Sequence, residues 1–280
     1  MTTLACSVLG IGVWGPGLPG WAASRAVLAG EAPYVPAPSP APPPALLPPT
    51  ERRRTGPGPP VALQVAGEAA AASGLPPGSL RTVFGSSNGD GVVVGGILEA
   101  LAASNGERVV SPTAFHNSVH NAAAGYWSIA TGSHQPATCL GCHDWTWAAA
   151  LLKAAADVAA DGQAVLLACY DHPLPAPLDA LRPTLDAFGA ALVLGPAGAG
   201  QGLRLRWAPG PGATPPADPA LHALFHGNAS ARALPLLEHL AHGGGRHALA
   251  YLDGHLDVEV VSAAAPSAGG RGSRKRVPWT

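Results

Sequence analysis

The sequence predicts an α/β layered fold with a mostly parallel sheet. Short apolar runs of strand length alternate with helical stretches along most of the 280 residues, the pattern of strands packed between helices. "QAVLLACYDHP" is a continuous apolar run ended by Pro173, as expected of a strand covered on both faces. Two Ala-rich segments stop at glycine, "VALQVAGEAAAASGL" at Gly74 and "WTWAAALLKAAADVAADG" at Gly162, where a left-handed residue closes a helix.

The elements follow in order. A buried strand runs from Ser7 to Trp14 into the turn "GPGLPG", and "GWAASRAVLAG" is a short helix. From Glu31 to Pro60 proline dominates, in "PAPSPAPPPALLPP" and "GPGPP", which favours extended backbone over helix interiors. The helix ending at Gly74 comes next, then the strand "RTVFGSS", the turn "SSNGDG" and the helix "VVVGGILEALAAS". "SPTAFHNSVHNAAAGYWSIATG" opens with Ser111-Pro112, a helix-start signal, and reads as one helix with small residues on one face. After the helix ending at Gly162 and its buried strand, "AALVLGP", "LRLRWAP" and "HLDVEVVSA" are further strands. One helix, "ARALPLLEHLAHGG", lies among them, and no short-period repeat is visible.

Charged residues make up only 12% of the chain against 47% hydrophobic, below the charge density usual for a lone soluble monomer. Either a face is covered by a partner or the composition simply favours Ala, Gly and Pro. A net charge of −1 excludes general affinity for nucleic acid. The basic cluster in "RGSRKRV", Arg271 to Arg276, reads as the solvated end of a disordered tail. No apolar run reaches membrane-spanning length before Gly, Pro or charge breaks it. "LACS" resembles a lipoprotein cleavage site, but few residues precede Cys6 and none is basic. A cytoplasmic location with four reduced cysteines is therefore expected.

"TCLGCHDW" holds Cys139, Cys142 and His143 in a C-x-x-C-H pattern. As a haem attachment site it lacks an export signal, and with Met1 the only methionine it would need a distant histidine as second ligand. As a zinc site it lacks a second ligand pair at finger spacing, although His116 and His120, spaced i, i+4 on the expected helix, offer one. As a thiol nucleophile, Cys142 stands just before a helix N-terminus, where the dipole favours thiolate. The Gly-rich turns match neither common phosphate-binding pattern.

"TVFGSSNGDG", "SPTAFHNSVHNAAAGYWSIATGSHQPAT", the Ala-rich helix and "AVLLACYDHPLPAPL" together resemble the β-ketoacyl synthase-like N-terminal family, from about Leu4 to Leu178. The closest likeness is to the short chain-length-factor-like proteins of aryl polyene and xanthomonadin-type pigment pathways. The resemblance implies a thiolase-like half, α/β/α in layers, over residues 1–187 with the Pro-rich loop 31–60. A C-terminal α/β extension at 188–262 would pack on it, and residues 263–280 would form the tail.

In active members the nucleophilic cysteine precedes the helix whose end matches Gly162. Counting back places that position at Trp145, beside Asp144, with Cys142 nearly one turn earlier. "HGNA" at His226 and "DGH" at His255 are superficial echoes of the two catalytic histidines. Without cysteine and both histidines, decarboxylative condensation lacks its nucleophile and oxyanion support. The resemblance thus implies a catalytically silent subunit, with Trp145 filling the nucleophile position. Phe115, His116, Asn117, His120, Asn121 and Trp127 would line an interface or acyl tunnel. Its partners would be an active ketosynthase subunit, in a heterodimer, and an acyl chain on acyl carrier protein, with no cofactor, metal, nucleic acid or membrane span. The competing reading is a stand-alone acyltransferase or thioesterase that uses Cys142.

Overall fold

The computed structural model describes residues 2–40, 42–104, 109–198 and 200–262. The chain runs β1 (Leu4–Trp14), α1 (Trp21–Leu28), α2 (Pro49–Arg52), α3 (Gly58–Ser73), β2 (Arg81–Gly85), α4 (Gly91–Ala103), α5 (Pro112–Asn117), α6 (Ala122–Thr131) and β3 (Ala137–Leu140). It continues with α7 (Thr146–Asp161), β4 (Val165–Asp171), α8 (Leu178–Leu181), β5 (Phe188–Pro196), β6 (Gln201–Pro209), α9 (His222–Gly227), α10 (Leu234–His242), β7 (Gly245–Tyr251) and β8 (Gly254–Val261).

The eight strands form one sheet in the order β3-β2-β4-β5-β1-β6-β8-β7. The layered α/β class stands, but the expected strand direction is corrected. Only β3-β2 and β2-β4 are parallel; β4-β5, β5-β1, β1-β6, β6-β8 and β8-β7 are antiparallel. Apolar runs report that a strand is covered on both faces, not which way its neighbour runs. β4 is buried throughout, and β5 up to Pro196, because helices cover both sides. The boundary expected at residue 187 falls between β4 and β5, which are hydrogen-bonded neighbours.

One apolar cluster joins α3 and α6 to one face, with Val65, Phe84, Trp127 and Leu166. The other joins α7 and α10 to the opposite face, with Trp147, Leu151, Leu192 and Leu237. Helix α3 lies directly on β1 because Gly10 and Gly12 have no side chains; a Cβ on either would overlap the carbonyls of Ala69 and Val65.

Three further expectations change. Pro59 and Pro60 belong to the first turn of α3, where a missing N–H costs nothing. The single helix expected from Ser111 to Gly132 breaks after Asn117. There the Asn117 amide donates to Arg54 O at 2.6 Å and accepts from the Tyr126 hydroxyl at 2.8 Å, while Ser118 Oγ bonds back to Phe115 O. Side chains thus compete with the helix ladder at this point. Two helices, α9 and α10, lie among the last strands where one was expected, and β3 and β7 were not anticipated. The basic tail lies outside the described residues.

Candidate functional site

β3 ends at Leu140 and α7 starts at Thr146, so the chain reverses sharply from strand to helix over five residues. At the centre of this elbow His143 has φ +53°, a conformation uncommon outside glycine. The turn is held by Cys142 N–H donating to Thr146 Oγ1 at 3.0 Å, whose hydroxyl donates to His143 O at 2.7 Å. Cys139 and Cys142 are half-buried free thiols. Burial pushes the Cys139 thiol up from its usual range.

Asp144 projects from the elbow and accepts from Arg182 Nη2 at 2.7 Å. Burial alone would raise the Asp144 carboxyl, but the Arg182 hydrogen bond and charge, with Arg232 and His143 nearby, hold it below the usual carboxylate range. The same Arg182 nitrogen donates to Ser87 Oγ at 2.8 Å, which ties the elbow to the turn after β2. That turn is organised by Asp171 at the end of β4. Asp171 is fully buried and accepts from Ser86 Oγ at 3.0 Å, Ser87 N at 2.8 Å, Asn88 N at 3.2 Å and Ser230 Oγ at 2.7 Å. Burial raises its carboxyl, and these four donors oppose the rise. Sealed from solvent on all sides, Asp171 fastens three segments and is not placed to exchange protons with a substrate.

Trp145 stands at the end of the elbow. It is 38% exposed and, with Asp144, lines a cavity of about 340 Å³ completed by Thr214, Phe225, His226, Arg232 and β7. His226, set aside as a sequence echo, is therefore brought to Asp144 and Trp145, whereas Cys142 does not line this cavity. His255 lies elsewhere, its Nδ1 2.9 Å from Gly210 O and its Nε2 3.3 Å from Asp257.

The residues expected at an interface or tunnel divide in two. Phe115, His116 and Asn121 line a second cavity of about 350 Å³ at the α5–α6 corner, together with Val119 and Gly125. Asn117 and Trp127 are buried beneath it. His120 lies over the elbow instead: a Cβ on Gly141 would meet its Nε2 at 2.7 Å. His116 and His120 consequently do not share one helix, and among the described residues no group of three or more His, Cys, Asp or Glu is placed to hold a metal. Sequence reading missed Asp171, Arg182 and Arg232. Asp171 carried a signal, a lone carboxylate ending an apolar strand, but the two arginines carried none.

Among the described residues the β3 end of the molecule is apolar and exposed. Among the described residues β3 pairs only with β2, so its outer edge is open. Helix α4, "GVVVGGILEALAA", buries only Gly91 and Gly95 and exposes Val92 and Leu98. Phe115, Val119 and Ile129 are exposed as well, Phe115 by 66%. Among the described residues no helix is long and apolar enough to cross a membrane.

No curated protein sequence matches the chain. Among solved structures it is similar to a chain of the ketosynthase ApeO in complex with its chain length factor ApeC from Xenorhabdus doucetiae. The identity is 17% and the TM-score 0.68, over 91% of this chain and 99% of that one. A chain of the ishigamide ketosynthase/chain length factor gives 14% identity and TM-score 0.67 over 94% and 100%. A β-ketoacyl synthase from Burkholderia phymatum STM815 gives 17% and 0.54 over 70% of this chain and 59% of that one. At these identities the likeness shows the fold, a thiolase-like ketosynthase fold. The sequence family described as the β-ketoacyl synthase N-terminal domain matches residues 27–246, a span that takes in the elbow, the Asp171 network and the uncovered α4–α6 face. The chain belongs to the β-ketoacyl synthase N-terminal domain family.

Proposed function

We propose that this chain is a non-condensing, chain-length-factor-like subunit that forms a heterodimer with an active β-ketoacyl-ACP synthase. The pair would act on a growing polyene or fatty-acyl chain carried by acyl carrier protein, in a pathway of the aryl polyene pigment type. The observation that carries this reading is the exposed apolar surface of α4, whose only buried residues are two glycines, and of the α5–α6 corner, together with the edge strand β3, which pairs with β2 alone among the described residues. Exposed apolar surface on this scale marks an interaction site in a soluble protein.

The elbow supports a non-condensing role. Its strained residue is His143 rather than cysteine, and the cavity that holds Trp145 and His226 is not lined by a thiol. A nucleophile, its base and an oxyanion site must converge within hydrogen-bond reach for acyl transfer, and here they are dispersed.

Native mass after co-expression with a ketosynthase encoded nearby tests the reading. A stable one-to-one complex, with the lone chain aggregation-prone, is expected. A well-behaved lone monomer or homodimer that ignores the ketosynthase overturns it. Cys142 keeps one competing reading open to test, because it stands at the elbow beside His143. Selective alkylation of Cys142 that abolishes a thioester-cleaving or acyl-transfer activity of the lone chain would establish an acyltransferase instead.

A further inference from the structure

Beside Trp145 two arginines, Arg182 and Arg232, share one carboxylate. Asp144 is the cavity's one carboxylate, and Asp144 is engaged by Arg182 at 2.7 Å. Arg232 reaches into the same cavity half-buried, and among the described residues no carboxylate lies within ion-pair distance of it. Its guanidinium lies over the Phe225 ring, 4.6 Å from the centroid, and Nη1 stands 3.4 Å from His226 Nδ1. The ring and the imidazole hold the guanidinium in place, and Asp144, already engaged by Arg182, balances its charge only in part. Burial accordingly works against its charged form.

Further donors face this space, beside one backbone acceptor, the Ala250 carbonyl. Thr214 pairs with Ala248 on the edge of β7: its N–H donates to Ala248 O at 2.8 Å, and its Oγ1 accepts from Ala248 N at 3.0 Å. The Thr214 hydroxyl proton is thus left to donate elsewhere. Because alternate residues of an edge strand face outward, Ala250 presents its N–H and C=O along the same edge. Among the described residues neither has a protein partner. Trp145 and Leu249 supply apolar wall.

We infer that this cavity binds a small carboxylate with a short apolar body, the carboxylate on Arg232 and the body against Trp145. A planar guanidinium fork matches a carboxylate in two parallel hydrogen bonds. The cavity is of a size that encloses a small molecule, and its apolar wall has no use for a bare inorganic anion. The inference is independent of the chain-length-factor reading, since it requires no partner.

The test titrates the full-length chain with hexanoate and follows the Trp145 indole N–H resonance, assigned by its absence from Trp145→Phe. A saturable shift with a dissociation constant on the order of a millimolar is expected. Hexan-1-ol should produce no saturable shift, and inorganic phosphate should bind more weakly than hexanoate. Arg232→Gln should weaken hexanoate at least roughly tenfold, with Arg232→Lys between it and the parent because it keeps the charge and loses the fork. Equal binding by Arg232→Gln, equal binding of hexan-1-ol, tighter binding of phosphate or no shift of Trp145 would each overturn the assignment. The wild-type comparison of hexanoate with hexan-1-ol decides the matter even if the Arg232 variants do not fold.

Discussion

The two ends of the sheet both leave an open edge, and they treat it in opposite ways. At the β7 end, β8 alternates buried and half-exposed positions. Its outward side chains, Asp257 and Glu259, pair with Arg206, Arg204 and Arg246 across three strands. Thr214 additionally caps the β7 edge at Ala248. Charge on an outer strand deters unwanted pairing with another chain. At the β3 end, the strand Ala137–Leu140 has no charged residue, and Phe115, Val119 and Ile129 of the α5–α6 corner stand exposed, as does Leu98 on α4. On the proposed reading, the end with ion pairs across its strands is the solvent side and the apolar end is the partner side.

The largest expected effect comes from placing charge on the unguarded end. Leu98→Asp with Phe115→Asp should weaken the ketosynthase complex at least about 100-fold, the size of effect expected when two central apolar anchors are lost. Both positions are exposed, so the lone chain should melt within about 2 °C of the parent. Charge reversal at the other end, Arg206→Glu with Arg246→Glu, should leave the affinity within about threefold. Sedimentation or native mass over a dilution series reads both; equal losses from the two ends would abolish the distinction. Gly12→Ala separates surface from fold. Its new methyl would overlap the Val65 carbonyl, and displacing α3 from β1 should cost about 3 kcal/mol in urea unfolding, with loss of the complex as a consequence.

Sequence reading saw best what lies at the middle of the sheet. β4 is apolar from Val165 to Tyr170 and α7 is Ala-rich and closed by Gly162, so burial on both faces is written into consecutive residues. The ends were harder. β3 is four residues, one exposed and three half-exposed, whose strand character comes from pairing with β2, and β7 has neither a continuous run nor a clean alternation. Strand direction is set by which strands become neighbours, and β1 lies between β5 and β6 from far along the chain. The site was legible in proportion to its locality. The elbow was placed within a few residues, because strand, turn and helix are consecutive. Asp171 meets Ser86 and Ser230 across separations of 85 and 59 residues, and His226 reaches Trp145 through the fold alone. Spacing carries no trace of such contacts.

The smaller effects lie at the guarded end and test whether it is built for stability or for solvent. His247 on β7 is 3% exposed, and neither ring nitrogen has a hydrogen-bond partner. Burial, reinforced by the neighbouring His239, lowers its pKa to about 3, against about 6.5 for an unfolded histidine. Between these values the unfolded chain takes up a proton that the folded chain refuses. This contribution to stability is fully present above pH 6.5 and is lost progressively as pH falls toward 3. At pH 5.5 the loss should be about 1.4 kcal/mol, and His247→Leu should lose about 1 kcal/mol less than the parent between pH 7.5 and 5.5. The ion pairs outside should matter least. Arg206 is half exposed, so Arg206→Ala should change stability by less than about 0.5 kcal/mol, and by less again in molar salt. A larger change, insensitive to salt, would mean that the charged ladder holds the strands together. A small one, with increased self-association of the variant at low salt, would leave exclusion of other strands as its role.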